Sequence, residues 1–134
     1  MPSAELAARL DEEEPLLVEA YPNATVDRDS LLVVVTDHHL PDGWNHQVTD
    51  VAFVIPANYP SGQPDNVLAR PDLRLANGEL PGGNQGVQRH GGRNFLQFSW
   101  HIEPSDWRPT NHPHTGSSLA TYLDGAIARF DEAS

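Results

Sequence analysis

The 134-residue chain has no cysteine and no lysine, and its apolar runs are short. Without cysteine it cannot form disulfides, thiolate metal sites or a thiol nucleophile. A membrane-spanning helix needs about 20 apolar residues in succession, and the amino-terminal MPSAELAARLDEEE lacks the basic region and apolar core of a secretory signal. We therefore expect a cytoplasmic protein whose covalent chemistry, if it has any, uses oxygen or nitrogen.

Basic residues are scarce: eight arginines stand against 19 acidic residues, which gives a net charge of -11. Affinity for nucleic acid comes largely from Lys and Arg side chains that neutralise phosphates, so this charge argues against a nucleic-acid partner. Basic partners or substrates suit the chain better. The length fits a single domain with one core over residues 1–134.

Hydrophobic patterning predicts a helix at each end of the chain and strands between them. Residues Ser3 to Glu14 fit a helix with Ser3 as its N-cap and Pro15 as its stop. Apolar residues at helical spacing from Leu119 to Phe130 predict a second helix, with one face packed on a sheet. Runs rich in β-branched residues predict an antiparallel meander, with strands at residues 16–20, 31–36, 48–55 and, short, 67–69.

The segment between the strands and the last helix is rich in glycine. Residues 76–94, ANGELPGGNQGVQRHGGRN, hold six of the ten glycines and almost no large apolar side chain. This composition predicts a long irregular surface loop, suited to act as a flexible lid over the residues that follow. The order of elements predicts an α+β fold with helices segregated from an antiparallel sheet.

Two motifs stand out from this background. A buried strand ends at Pro56, and Tyr59-Pro60-Ser-Gly-Gln-Pro64 follows it. Proline fixes φ and disfavours helix in the preceding residue, so this stretch specifies a rigid extended crossing under which Tyr59 can pack. Further along, Ser99-Trp-His101 stands eight residues before the turn Trp107-Arg-Pro.

Together with Asp37-His-His-Leu-Pro-Asp-Gly, these motifs resemble the prokaryotic "E" subfamily of ubiquitin-conjugating-enzyme-like (UBC-like) proteins, over roughly residues 3 to 130. The resemblance implies a UBC-like fold and a context of bacterial ubiquitin-like proteins, ThiF-type activating enzymes and JAB-type peptidases. In that family a catalytic cysteine precedes the Trp-x-Pro turn by about eight residues, and Ser99 occupies this position here. The His-Pro-Asn tripeptide that normally precedes the cysteine has no counterpart beyond Asn84 and Asn94. The standard thioester mechanism therefore cannot operate.

The candidate catalytic residues are Ser99, His101 and Asp106, and no cofactor or metal is expected. A serine hydroxyl needs an adjacent base, and in an extended chain Ser99 and His101 point to the same face, at a distance somewhat long for a direct hydrogen bond. Two roles fit Asp106: it orients His101, or it acts on the site that accepts the proton of an incoming amine. Trp100 points to the opposite face and is the tryptophan that best suits a partner contact.

Two functional hypotheses remain open. In one, the chain accepts a ubiquitin-like protein from the activating enzyme as an oxyester on Ser99 and passes it to an amine. In the other, it is a catalytically inactive UBC-like adaptor that binds a ubiquitin-like protein or an activating enzyme. A zinc-dependent hydrolase built on His112 and His114, with His101 or His90, is a weaker alternative, because no His-x-x-x-His spacing or matching carboxylate accompanies them.

Overall fold

The fold, a computed structural model, is described for residues 3–134. Its elements in chain order are α1 (Ala4–Ala20), β1 (Ala24–Asp27), β2 (Leu32–His39), β3 (Val48–Val54), β4 (Asp65–Ala69), β5 (Asn84–His90), β6 (Arg93–Phe98) and α2 (Leu119–Ala128), with 3₁₀ turns at Pro104–Asp106 and Arg129–Asp131. The six strands form one antiparallel sheet in the order β1-β2-β3-β4-β6-β5. The predicted α+β architecture, with a helix before and after an antiparallel sheet, is confirmed.

The carboxyl-terminal helix begins and packs as its sequence predicts. The Ser118 side chain accepts a hydrogen bond from the Thr121 backbone N–H, and the Thr121 side chain accepts one from the Ser118 N–H, so two helix-end donors are satisfied. The buried face of α2 joins the main core, where the Tyr122 ring lies 5.0 Å from the ring of Phe53 in β3. This packing fixes α2 against one face of the sheet.

The amino-terminal helix is longer than predicted, because Pro15 does not end it. Leu10, Glu13 and Leu17 are buried at helical spacing, whereas Leu16 and Val18 are 37% and 38% exposed, so one face of the helix is buried. The predicted strand at residues 16–20 is therefore wrong. A short apolar run fits a strand or a helix equally well. Here the burial of Leu17 against the core offsets the hydrogen bond that proline removes.

The glycine-rich segment is a hairpin over half of its length. β5 and β6 pair through a two-residue turn, Gly91-Gly92, with φ of 57° and 78°. Two consecutive positive φ angles suit the tight turn that matches strand twist, and glycine adopts them without strain. A Cβ on Gly91 would lie 3.0 Å from Leu32 Cδ2, so this turn lies against the start of β2. The prediction of one long loop is wrong for residues 84–94.

Candidate active site

Ser99 lies one residue beyond β6, where the sheet ends. Phe98, the last residue of the strand, is paired with Val67 on one side and Asn84 on the other. The Ser99 backbone N–H donates a hydrogen bond to the Gly83 carbonyl at 2.9 Å. The Ser99 side chain is exposed. The structure therefore holds the backbone at this residue and leaves the hydroxyl open to solvent.

Trp100 fixes the backbone between Ser99 and His101. Its carbonyl accepts hydrogen bonds from the Asn66 N–H at 2.7 Å and from the Tyr122 hydroxyl at 3.3 Å. Its ring meets the Tyr122 ring edge-on at 4.9 Å and lies so close to α2 that a Cβ on Gly125 would come within 2.6 Å of it. The interpretation of Trp100 as a partner contact stays a prediction: its ring packs on the helix and is partly exposed.

Gln63 holds the backbone directly after His101. Its side-chain amide donates to the Ile102 carbonyl at 2.6 Å, and its side-chain carbonyl accepts from the Ile102 N–H at 2.8 Å. One amide thus satisfies both backbone groups, as a neighbouring strand would. His101 is itself exposed and, with Gln63 and Asp65, lines an open cavity of about 320 Å³.

The three predicted catalytic residues lie on one exposed stretch of chain. Asp106 ends the 3₁₀ turn, and its side chain faces solvent, like those of Ser99 and His101. Within residues 3–134, no hydrogen bond joins any two of these three side chains. Catalytic hydrogen bonds often tighten only when substrate is bound. The roles of the three residues therefore stay predictions.

The two sequence motifs meet in space. The Trp107 ring nitrogen donates to the Pro60 carbonyl at 2.9 Å, and the Trp107 and Tyr59 rings are 6.1 Å apart. Tyr59 is only 4% exposed, as expected for a residue beneath a rigid crossing. The Tyr-Pro crossing therefore supports the turn that follows the candidate site.

Beneath Tyr59, the carboxylate of Glu13 in α1 is the centre of a buried network. Glu13 is 2% exposed and accepts hydrogen bonds from the Tyr59 hydroxyl at 2.6 Å, from Arg9 Nε at 2.5 Å and from the Leu119 N–H at 2.7 Å. Leu119 is the first residue of α2, where the helix dipole favours a negative charge. Burial and the nearby Glu13 charge raise the pKa of Tyr59 above its usual range. One carboxylate thus joins α1, the Tyr-Pro crossing and α2.

Arg9 extends this network to the loop that leads from the Trp107 turn to α2. Its guanidinium donates to the Thr110 carbonyl at 2.5 Å and more weakly to the Ser117 carbonyl at 3.5 Å. Sequence reasoning missed Glu13 and Arg9, since both lie in a polar stretch. The signal that could have revealed Glu13 is its place in the buried stripe of α1, which runs through Leu6, Leu10 and Leu17.

Residues 13–121 match the protein-family model described as Prokaryotic E2 family E. The chain belongs to prokaryotic E2 family E. Membership gives this family E protein a role related to ubiquitin conjugation, in which a ubiquitin-like protein and an activating enzyme are the general partners. No curated protein and no solved structure matches the chain.

The matched segment of this family E protein contains all three predicted catalytic residues. It starts at Glu13, the centre of the buried network, and ends at Thr121, whose side chain caps α2. Between them it includes the Tyr-Pro crossing, Ser99 and the Trp107 turn. The match thus covers most of the contacts that fix the loop around Ser99, while Arg9 and Tyr122 lie outside it.

In the family E protein, neither Asn84 nor Asn94 is placed to replace the asparagine of the missing His-Pro-Asn tripeptide. Asn84 pairs with Phe98 and so lies close to Ser99, but its side chain donates to the Pro81 carbonyl at 3.1 Å and accepts from the Gly86 N–H at 3.3 Å. Asn94 lies near the far end of β6, opposite Arg89. Asn84 therefore shapes its own loop, and Asn94 is remote from the site.

The histidines do not come together in a metal cluster in the described part of the family E protein. The rings of His112 and His114 are 5.8 Å apart, but no group of three or more His, Asp or Glu side chains within residues 3–134 is placed to hold a metal ion. Over the same residues, no helix has the length and apolar character needed to cross a bilayer.

Proposed function

We propose that this protein accepts the carboxyl terminus of a ubiquitin-like protein on Ser99 as an oxyester and passes it to an amine. The observation that carries the proposal is the exposed Ser99 hydroxyl on a backbone held on both sides, by the Gly83 carbonyl and by the hydrogen bonds at Trp100. A nucleophile on a rigid support, open to solvent, suits a bulky acyl donor that arrives on another protein.

In the first step Ser99 Oγ attacks the carbonyl carbon of a thioester carried by a ThiF-type activating enzyme. A carbon–oxygen bond forms, the carbon–sulfur bond breaks and the thiolate leaves. His101 accepts the hydroxyl proton, because serine is a weak nucleophile without a base. The product is an oxyester between Ser99 and the ubiquitin-like protein.

In the second step an amine nitrogen attacks the ester carbonyl. The carbon–nitrogen bond forms, the bond to Ser99 breaks, and His101 returns its proton to the serine oxygen. The surplus proton of the amine passes to solvent, directly or by way of Asp106. Such acid–base help is worth about 10² to 10⁴ in rate, and it matters here because an alkoxide leaves less readily than a thiolate. A JAB-type peptidase belongs to the same proposed pathway.

A catalytically inactive adaptor is the second candidate. It is favoured by one observation: among the described residues, no base is hydrogen-bonded to the Ser99 hydroxyl. In this case Ser99 is a small residue at the position of the family's cysteine. The loop fixed by Gln63, Trp107 and the Glu13 network then holds the ubiquitin-like protein or the activating enzyme for another catalyst.

The substitution Ser99→Cys separates the two candidates. With ATP, the activating enzyme and the ubiquitin-like protein, an active site should accumulate a thioester-linked adduct that excess thiol removes, because a thiolate is the stronger nucleophile. Ser105→Cys is the matched control, since Ser105 is an exposed serine six residues further along and should form no adduct. A Ser99→Cys protein that binds its partner without forming a thioester would establish the adaptor.

A further inference from the structure

β5 is an edge strand whose outer side is open for pairing. It lies at the end of the sheet and, within residues 3–134, pairs only with β6. In a hairpin with a two-residue turn, the residues flanking the turn, His90 and Arg93, form a hydrogen-bonded pair, and the pattern then alternates. Val87 and Arg89 fall at the alternate positions, so their N–H and C=O groups point to the free edge. The strand thus offers a short row of unpaired donors and acceptors.

The chemistry of this edge differs from that of the rest of the chain. All 19 acidic residues lie outside the segment from Leu80 to Ile102, although the whole chain has a net charge of -11. Val87 is 50% exposed, and Arg89 is exposed and makes no ion pair in the described structure. β5 therefore offers an added peptide one exposed apolar side chain and one exposed positive side chain, in a segment of the sequence without acidic residues.

The direction of β5 determines the orientation of a peptide strand added to its free edge. β5 runs from Asn84, beside Ser99, to His90 at the far end of the hairpin. A strand added antiparallel to it would therefore run from His90 towards Asn84 and finish beside Ser99. Ser99 follows β6, which lies one strand spacing from β5, so the added strand would lie two strand spacings, about 10 Å, from Ser99. To reach Ser99, the last residues of the peptide would pass over the chain at Gly83. This residue has no side chain, and its carbonyl accepts a hydrogen bond from the Ser99 N–H.

We propose that the free edge of β5 binds the extended carboxyl-terminal tail of the ubiquitin-like protein as an added antiparallel strand, with its terminal carbonyl delivered to Ser99. This inference rests on the proposed function, in either its catalytic or its adaptor form. β1, at the opposite edge of the sheet, is only four residues long and lies far from Ser99 in the strand order. Strand addition of this kind takes its affinity from main-chain hydrogen bonds.

The test measures amide hydrogen exchange in the Ser99→Ala protein, which cannot form the oxyester, with and without the purified ubiquitin-like protein. Protection of the Val87 and Arg89 amides on binding is the expected result. Binding that protects other amides but not these two would overturn the strand addition and leave the proposed function standing. Absence of any binding would overturn both.

Two substitutions at one position give an independent test. Val87→Pro removes an outward N–H at an edge position that tolerates proline, whereas Val87→Thr keeps the N–H and the β-branched shape. Val87→Pro should weaken binding of the ubiquitin-like protein about three- to tenfold, and Val87→Thr should leave it nearly unchanged. Thermal unfolding checks that both variants are folded. Equal affinities of two folded variants would contradict the proposal.

Discussion

Replacing Glu13 by alanine is expected to lower the free energy of unfolding by about 3–5 kcal/mol. The substitution leaves the charge of Arg9, which is only 9% exposed, without its partner, and it removes the acceptor for the Tyr59 hydroxyl and the Leu119 N–H. A buried charge that loses its partner is not solvated in compensation, so the cost exceeds that of a surface ion pair. Urea-induced unfolding followed by circular dichroism measures the difference.

Glu12→Ala is the matched control for this prediction. Glu12 is the preceding residue of the same helix and is exposed, so its removal should change the free energy of unfolding by no more than about 0.5 kcal/mol. If the two substitutions had equal effects, the Glu13 network would not be what holds α1, the Tyr-Pro crossing and α2 together.

Replacing His101 by alanine is expected to slow formation of the Ser99 adduct by about 10² to 10⁴. The reason is that His101 is proposed to accept the serine proton, and a serine hydroxyl is a weak nucleophile without a base. Its side chain is exposed, so the substitution should leave stability and partner binding unchanged. A time course of adduct mass, with ATP and the activating enzyme, gives the rate.

His112→Ala serves as the control for His101, because His112 is also exposed and lies on the same loop before α2. It should form the adduct at the wild-type rate. If His101→Ala reacted as fast as wild type, another group would have to take the proton, and the role of His101 would be wrong.

The parts of the fold that follow local rules were predictable from the sequence. The spacing from Leu119 to Phe130 predicts α2, and the prolines after Pro56 predict a non-helical crossing that buries Tyr59. The prediction that this crossing is extended is wrong, because residues 57–61 form turns, in which the Tyr59 N–H donates to the Pro56 carbonyl at 3.0 Å. Each of these signals is carried by neighbouring residues, through helical periodicity or through the fixed φ of proline. The family resemblance likewise rested on short motifs and is confirmed over residues 13–121.

The errors arose where tertiary packing decides between two local conformations. Residues 16–20 have the composition of a strand, yet Leu17 joins the core from a helix. The glycines at 91 and 92 are typical of loops, but between pairing strands they form the turn of the β5–β6 hairpin. In both cases the deciding partner is distant along the chain, and a single sequence does not show it.

In the candidate site, too, the residues of the local motifs were predictable and the distant residues that fix them were not. The motifs pointed to Ser99 and to its distance from Trp107, which is one short piece of chain. The contacts that fix this piece come from far away: Gln63 holds Ile102 across 39 positions, and Glu13 holds Leu119 across 106. Because these partners are polar residues outside any motif, only the folded structure identifies them.

The most direct test of the account is the intact mass of the protein after incubation with ATP, its activating enzyme and the ubiquitin-like protein, comparing wild type with Ser99→Ala. We expect an adduct of one ubiquitin-like protein on the wild type alone. The bond should resist thiols and yield to hydroxylamine or base, as an oxyester does. An adduct of equal yield on Ser99→Ala, or no adduct on a wild type that binds its partner, would contradict the proposal that Ser99 carries the ubiquitin-like protein.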